Sequence, residues 1–287
     1  MRPAIRHRAL AGLAVVAALA GCAPLAEDPA STSPGGAAPT GAVRAIESLP
    51  EGILVDYQLG GGYAPAPGVE GVVRDSTDVP EPGLYSICYV NAFQSQPGDR
   101  EEWLDERPEL VLTGEGGEPV VDPGWPDELL LDTSTATNRA RLAEFVDRDI
   151  RSCASAGFSA VEFDNLDSFS RSGGALSVDA AMDFARLIVD LAHESGLAAA
   201  QKNAVEFAER ARAEAGFDFA VVEQCHEFDE CAVVAATYGD AVVDVEYSDA
   251  SAFADACADP DRVSSTIRRD RDLTTPDSPD HVFEACR

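Results

Sequence analysis

Four stretches of this 287-residue chain end in acids and amides after beginning apolar. Their ends are Val161-Glu162-Phe163-Asp164-Asn165 with Asp167 close behind, Gln201-Lys202-Asn203, Glu223-Gln224-Cys225, and Asp244-Val245-Glu246-Tyr247. Paired carboxyl groups suit acid–base hydrolysis of a glycosidic bond, in which one protonates the leaving oxygen and the other attacks or activates water. Strand alternation puts Glu162 and Asp164 on one side and Val161 and Phe163 on the other. The convergent set is Asp164, Lys202, Glu223 and Glu246, with Glu162, Asp167 and Asp244 nearby. Lys202 is the only lysine of the chain, which suggests a need for a compact ammonium at that point. Placed between two acids, it favours their ionised forms. Asp164 is expected to stay ionised with help from Asn165 and Gln201. Glu223 is expected to carry the proton, its pKa raised by the surrounding acids.

Other chemistries fit less well. There is no Gly-x-Ser-x-Gly elbow and no glycine-rich phosphate loop ending in Lys-Ser/Thr. The four histidines, His7, His193, His226 and His281, are scattered. Cys225, His226 and Cys231 could begin a zinc site, but no second pair of ligands accompanies them. The expectation is therefore no metal and no cofactor.

These residues need elements to hold them. Eight short apolar or β-rich runs recur: Ile53 to Gln58, Gly71 to Asp75, Leu84 to Asn91, Glu128 to Asp132, Phe158 to Asp164, Leu197 to Lys202, Phe219 to Glu223 and Ala241 to Glu246. Helical spacing fills Asn138 to Ala156, Val178 to Ser195 and Ala204 to Ala215. Gly157, Gly196 and Gly216 fall where left-handed helix caps are wanted. Alternating strands and helices predict a parallel sheet, and the count of eight favours a (β/α)8 TIM barrel over an open doubly wound sheet. In such a barrel the strand C-termini form the active face. Loops rich in Gly and Pro at Gly60 to Gly68 and Thr113 to Asp127 imply that some first-half helices are reduced to loops.

Residues 1–22 read as a lipoprotein signal peptide: Arg2, Arg6 and Arg8 precede an apolar run that ends in the lipobox Leu19-Ala20-Gly21-Cys22. Cys22 is the expected lipidation site. An ordinary cleaved signal peptide is the competing reading, and either places the mature protein outside the cytoplasm. Residues 23–48, rich in Ala, Pro, Gly, Ser and Thr, read as a tether, and residues 49–287 form a single domain. The predicted location is extracytoplasmic, a membrane-anchored lipoprotein on a bacterial cell surface, with contact to the membrane through the lipid. A net charge of −30 argues against nucleic acid as a partner, and the expected state is a monomer. Six cysteines remain after Cys22, an even number that suggests disulfides in an exported chain. Chain proximity groups Cys225 with Cys231 and Cys257 with Cys286, leaving Cys88 and Cys153. Six cysteines still permit 15 pairings.

The motifs Gly157-Phe158-Ser159-Ala160-Val161-Glu162-Phe163-Asp164-Asn165-Leu166-Asp167, Gln201-Lys202-Asn203, Glu223-Gln224-Cys225 with Glu230-Cys231, and Val245-Glu246-Tyr247 resemble glycoside hydrolase family 114, the endo-α-1,4-polygalactosaminidase family. Tyr57-Gln58-Leu59 and Cys88-Tyr89-Val90-Asn91-Ala92 extend the likeness, which spans Val55 to Tyr247. The resemblance implies a (β/α)8 barrel that cleaves α-1,4 links in galactosamine or N-acetylgalactosamine polymers. It implies Asp164 and Glu223 as the catalytic pair and a Cys225–Cys231 disulfide. Asp56, Gln58, Tyr89, Asn165, Asp167, Lys202, Asn203, Gln224, Glu246 and Tyr247 are the expected substrate-binding residues. The alternatives are a glycan-binding surface lipoprotein with weak turnover and a barrel hydrolase of another glycan.

Overall fold

The computed structural model describes residues 45–247 and 249–286. The lipobox, Cys22 and most of the expected tether lie outside the described residues. Eight parallel strands run in sequence order: β1 Val55–Tyr57, β2 Gly71–Asp75, β3 Tyr85–Asn91, β4 Ala160–Asp164, β5 Ala198–Lys202, β6 Phe219–Glu223, β7 Val242–Glu246 and β8 Ser265–Arg269. A ninth, β9 Phe283–Ala285, lies antiparallel to β8. The sheet is a nearly closed TIM barrel. Helices α1 Arg100–Glu106, α2 Ala136–Ala156, α3 Ser168–Arg171, α4 Val178–Glu194, α5 Ala208–Arg210, α6 Cys231–Tyr238 and α7 Ala250–Ala258 occupy the connections after β3. The β1–β2 and β2–β3 connections are loops; Gly60 to Gly68 falls in the first, whereas Thr113 to Asp127 falls in the β3–α2 excursion.

The helix ends follow their residues. Thr135 and Ser177 accept from the backbone N–H of Asn138 and Ala180, capping α2 and α4. Gly157, Gly196 and Gly216 lie at φ 102°, 75° and 90°, where a Cβ would be strained.

Two strand assignments differ from expectation. Glu128 to Asp132 is not a barrel strand; Leu129, Leu130 and Leu131 instead make isolated antiparallel bridges to Val121, Gln94 and Val111 within the long β3–α2 excursion. The eighth place goes to Ser-Thr-Ile-Arg-Arg, in which only Ile267 is a large apolar residue. Its arginines mask the strand signal, because their partners come from outside the local run. Arg269 is fully buried. It reaches Asp56 of β1 at 3.2 Å and donates to the carbonyls of Val282 and Thr274, stapling the last parallel strand to the first.

Two apolar clusters define the faces of the strands. Val55, Tyr57, Val73, Ile87, Ala160, Ala198, Phe219, Val221, Val243, Val245 and Ile267 fill the barrel interior. Val90, Val161, Phe163, Ala199, Ala220, Val222 and Val242 face outward onto helix residues such as Phe184 and Ile188. Disulfides Cys88–Cys153, Cys225–Cys231 and Cys257–Cys286 tie β3 to α2, close the turn before α6, and join α7 to the C-terminal segment. Glu47, near the end of the expected tether, accepts from Tyr85 through its carbonyl and from Ser159 through its carboxylate.

Candidate active site

The interior parity of β4, β5 and β6 carries Glu162 and Asp164, Lys202, and Glu223 to the same end of the barrel. Directly after these strands the chain turns sharply: Asn165, Asn203 and Gln224 all have left-handed φ, at 65°, 50° and 60°. This region is sparsely populated by residues other than glycine, and asparagine tolerates it best. The turns leave the last inward side chain of each strand on the floor of a cavity of about 440 Å³.

Lys202 is the hub. Its ammonium lies 3.3 Å from Glu223, 3.6 Å from Glu162 and 3.7 Å from Asp164, with its side chain 3% exposed. It donates to the Tyr57 hydroxyl at 3.1 Å, and Tyr57 donates to Glu162 at 2.7 Å. Burial disfavours the ammonium, but Asp164, Glu223 and Glu162 outweigh that effect and hold its pKa well above the ordinary lysine value.

The three carboxyls differ. Burial pushes Glu162 up to about 7, with Asp164 adding to the rise and Lys202 opposing it. Asp164 accepts from the Tyr89 hydroxyl at 2.7 Å and from the N–H of Asn165 at 2.8 Å. Glu223 accepts from Tyr247 at 2.5 Å and from the Asn203 amide at 2.9 Å. Burial raises the Glu223 pKa, but Lys202, Tyr247 and Asn203 together bring it below the usual 4.5. This corrects the expectation of a raised Glu223: the resting site holds it as a carboxylate, because its near neighbours are hydrogen-bond donors rather than acids.

Tyr89, Asn165, Lys202, Gln224 and Tyr247 line the cavity with Asp164 and Glu223, while Asp56, Gln58, Asp167, Asn203 and Glu246 do not. Asp56 and Gln58 are fully buried, bonded to each other, to Tyr63 and to Arg269 and Arg74. Asp167 pairs with Arg171, and Asn203 positions Glu223. Glu246 lies with the outward parity of Val242; it accepts from the N–H of His226, and burial raises its pKa. Sequence reasoning missed Tyr57, Asp75, Trp125, Glu128 and Arg271, all of which border the cavity. Tyr57 and Asp75 share the inward parity of Val55 and Val73, so that signal was present. Trp125, Glu128 and Arg271 come from loops and carried no comparable signal.

The GH114 family model matches residues 37–287. This chain is a member of glycoside hydrolase family GH114. It is a glycoside hydrolase with the fold of that family. Galactosamine-bound Ega3 of Aspergillus fumigatus superposes with a TM-score of 0.66 at 19% identity, over 86% of this chain and 100% of Ega3. The glycoside hydrolase domain of PelA from Pseudomonas aeruginosa gives 0.54 at 15% identity, over 80% of this chain and 97% of that domain. No curated protein sequence matches the chain. Within this GH114 barrel, Asp164 and Glu223 face one ammonium in one cavity, an arrangement able to supply both an attacking carboxylate and a proton carrier.

Proposed function

We propose that this GH114 hydrolase cleaves α-1,4-linked galactosamine polymers internally, with Asp164 as nucleophile and Glu223 as acid and base. The observation that carries the reading is the placement of both carboxylates around Lys202. Galactosamine in the Ega3 structure supports the sugar class. Glu223 is the more exposed of the two, 28% against 17%, which suits the group that must exchange its proton between half-reactions. Asp164, deeper and held by Tyr89, is fixed for attack.

Asp164 Oδ2 and Glu223 Oε2 lie 3.7 and 3.3 Å from one nitrogen, so their separation cannot exceed the sum of these distances. A tetrahedral angle at that nitrogen sets the two oxygens about 5.7 Å apart, nearer the roughly 5 to 5.5 Å of a retaining pair than the roughly 6.5 to 9.5 Å of an inverting one. Retention of anomeric configuration is the outcome expected on this proposal.

The test is hydrolysis of an activated aryl galactosaminide and of an unactivated oligomer. Glu223→Gln loses at least about 100-fold on the unactivated substrate and far less on the activated one; Asp164→Asn loses both. The opposite pattern reverses the roles, and full activity in both variants refutes the site. We also propose that Cys22 anchors the mature protein to a membrane outside the cytoplasm, on the basis of Leu19-Ala20-Gly21-Cys22. A Cys22→Ser variant that partitions into detergent like the wild type would refute this.

A further inference from the structure

The backbone that follows Glu223 is held by side chains that the hydrolytic step does not touch. After the left-handed turn at Gln224, three consecutive N–H groups are taken by β7. Gln224 donates to the carbonyl of Val245 at 3.0 Å, Cys225 to Asp244 Oδ1 at 3.2 Å and His226 to Glu246 Oε1 at 2.9 Å. Asp244 and Glu246 are 0% and 1% exposed and take the outward parity of β7, away from the cavity. Each spends one oxygen on this segment; Asp244 Oδ2 and Glu246 Oε2 have no hydrogen-bond partner among the described residues.

The segment is otherwise closed on itself. The Cys225–Cys231 disulfide spans it, the N–H of Glu230 donates to the Cys225 carbonyl at 2.7 Å, and the N–H of Phe228 donates to the Gln224 carbonyl at 3.0 Å. The turn is therefore one piece, and the two carboxyls are the side chains that join its backbone to β7. The His226 ring meets Asp259, just past α7, at 2.8 Å. Tyr247, the residue after β7, faces inward and donates to Glu223 at 2.5 Å. Adjacent residues thus grip the end of β6 from two sides, Glu246 by its backbone on the outward face and Tyr247 by its carboxylate within the barrel.

The geometry points to Asp244 and Glu246 as positioning residues for Glu223, which fix the turn behind it and so hold its carboxylate 3.3 Å from Lys202. Neither borders the cavity, so both act through the backbone. Two acids buried on one strand face are costly, and an apolar pair would pack there with less penalty. What an apolar pair lacks is an acceptor for the N–H groups of Cys225 and His226. Burial, with Glu246 adding to it, raises the Asp244 pKa well above the ordinary value against the Cys225 N–H and the Thr266 hydroxyl. A protonated carboxyl still accepts through its other oxygen, so an amide can replace it. Displacing a reacting group by about 1 Å costs on the order of 100-fold in rate. This deepens the functional reading above and rests on Glu223 as the proton carrier.

The experiment compares Asp244→Leu and Glu246→Met, which fill the space without a comparable acceptor, with Asp244→Asn and Glu246→Gln, which keep one. Each is assayed on an unactivated galactosamine oligomer and on an activated aryl galactosaminide, beside Glu223→Gln. In the two apolar variants the expected kcat on the oligomer falls about 30-fold with KM within about twofold. Their kcat/KM on the aryl substrate stays within about threefold, because that aglycone leaves with little protonation. The two amide variants recover the oligomer kcat to within about threefold of the wild type. Equal losses on both substrates, a loss confined to KM, full activity in the apolar variants, or amide variants as slow as the apolar ones overturns the positioning role and leaves the acid assignment standing. If the apolar variants do not fold, Asp244→Glu and Glu246→Asp, which move the acceptor by one methylene, take the same test with the same outcomes. A Glu223→Gln variant that slows both substrates alike overturns the acid assignment and the positioning role with it.

Discussion

Glu223, the proposed acid, would have to deliver a proton, yet Lys202, Tyr247 and Asn203 hold it ionised in the resting site. The productive form, with Glu223 protonated and Asp164 ionised, is therefore scarce at neutral pH and grows as pH falls toward the lowered Glu223 value. The kcat/KM for an unactivated oligomer should fall as pH rises from 5 to 7, approaching about tenfold per unit. A flat profile over that interval would show that Glu223 does not carry the rate-determining proton. The active-site acids were legible because alternation along β4 could be read directly. The protonation of Glu162 and Glu223 was not, since it depends in part on the hydroxyls of Tyr57 and Tyr247, which arrive from β1 and from the residue after β7.

Strand parity decides more than the acids. Val55, Tyr57 and Asp75 share the inward register of the site, whereas Asp56 and Gln58 belong to the outward set, and the same rule turns Tyr247 in and Glu246 out. Acidity drew attention to Asp56, but its buried partner is Arg269. Arg269→Leu should cost about 3 to 5 kcal/mol in chemical denaturation because it leaves a buried carboxylate unpaired. Asp56→Asn should shift stability while leaving KM unchanged; a raised KM at unaltered stability would return Asp56 to a substrate role. The glycine caps and helices α2 and α4 could be read from periodicity, whereas the short helices α3, α6 and α7 were not. Strand β8 could not, because its arginines find their charged partners in β1 and β9, neither of which is local in sequence.

At the scale of the whole molecule, a net charge of −30 makes acidification favourable by reducing self-repulsion. Buried carboxyls add to this. Glu162 titrates near 7 in the fold against an ordinary 4.5, so its contribution is fully present below 4.5 and is lost as pH rises through 7. Between pH 8 and 5.5 that one group contributes on the order of 2 kcal/mol. Denaturation midpoints at the two pH values should rise on acidification for the wild type, and by less for Glu162→Gln. Equal rises would place the effect in the general charge.

Lys202 is the chain's single lysine, and it is enclosed at the bottom of the cavity. Reagents that acylate or cross-link side-chain amines therefore find no target on the folded surface. A lysine-specific endoprotease has one bond to cut, Lys202–Asn203, which the barrel shields. Digestion of the native protein should leave it whole, and each molecule that opens should yield the same two fragments, making proteolysis a direct count of unfolding events.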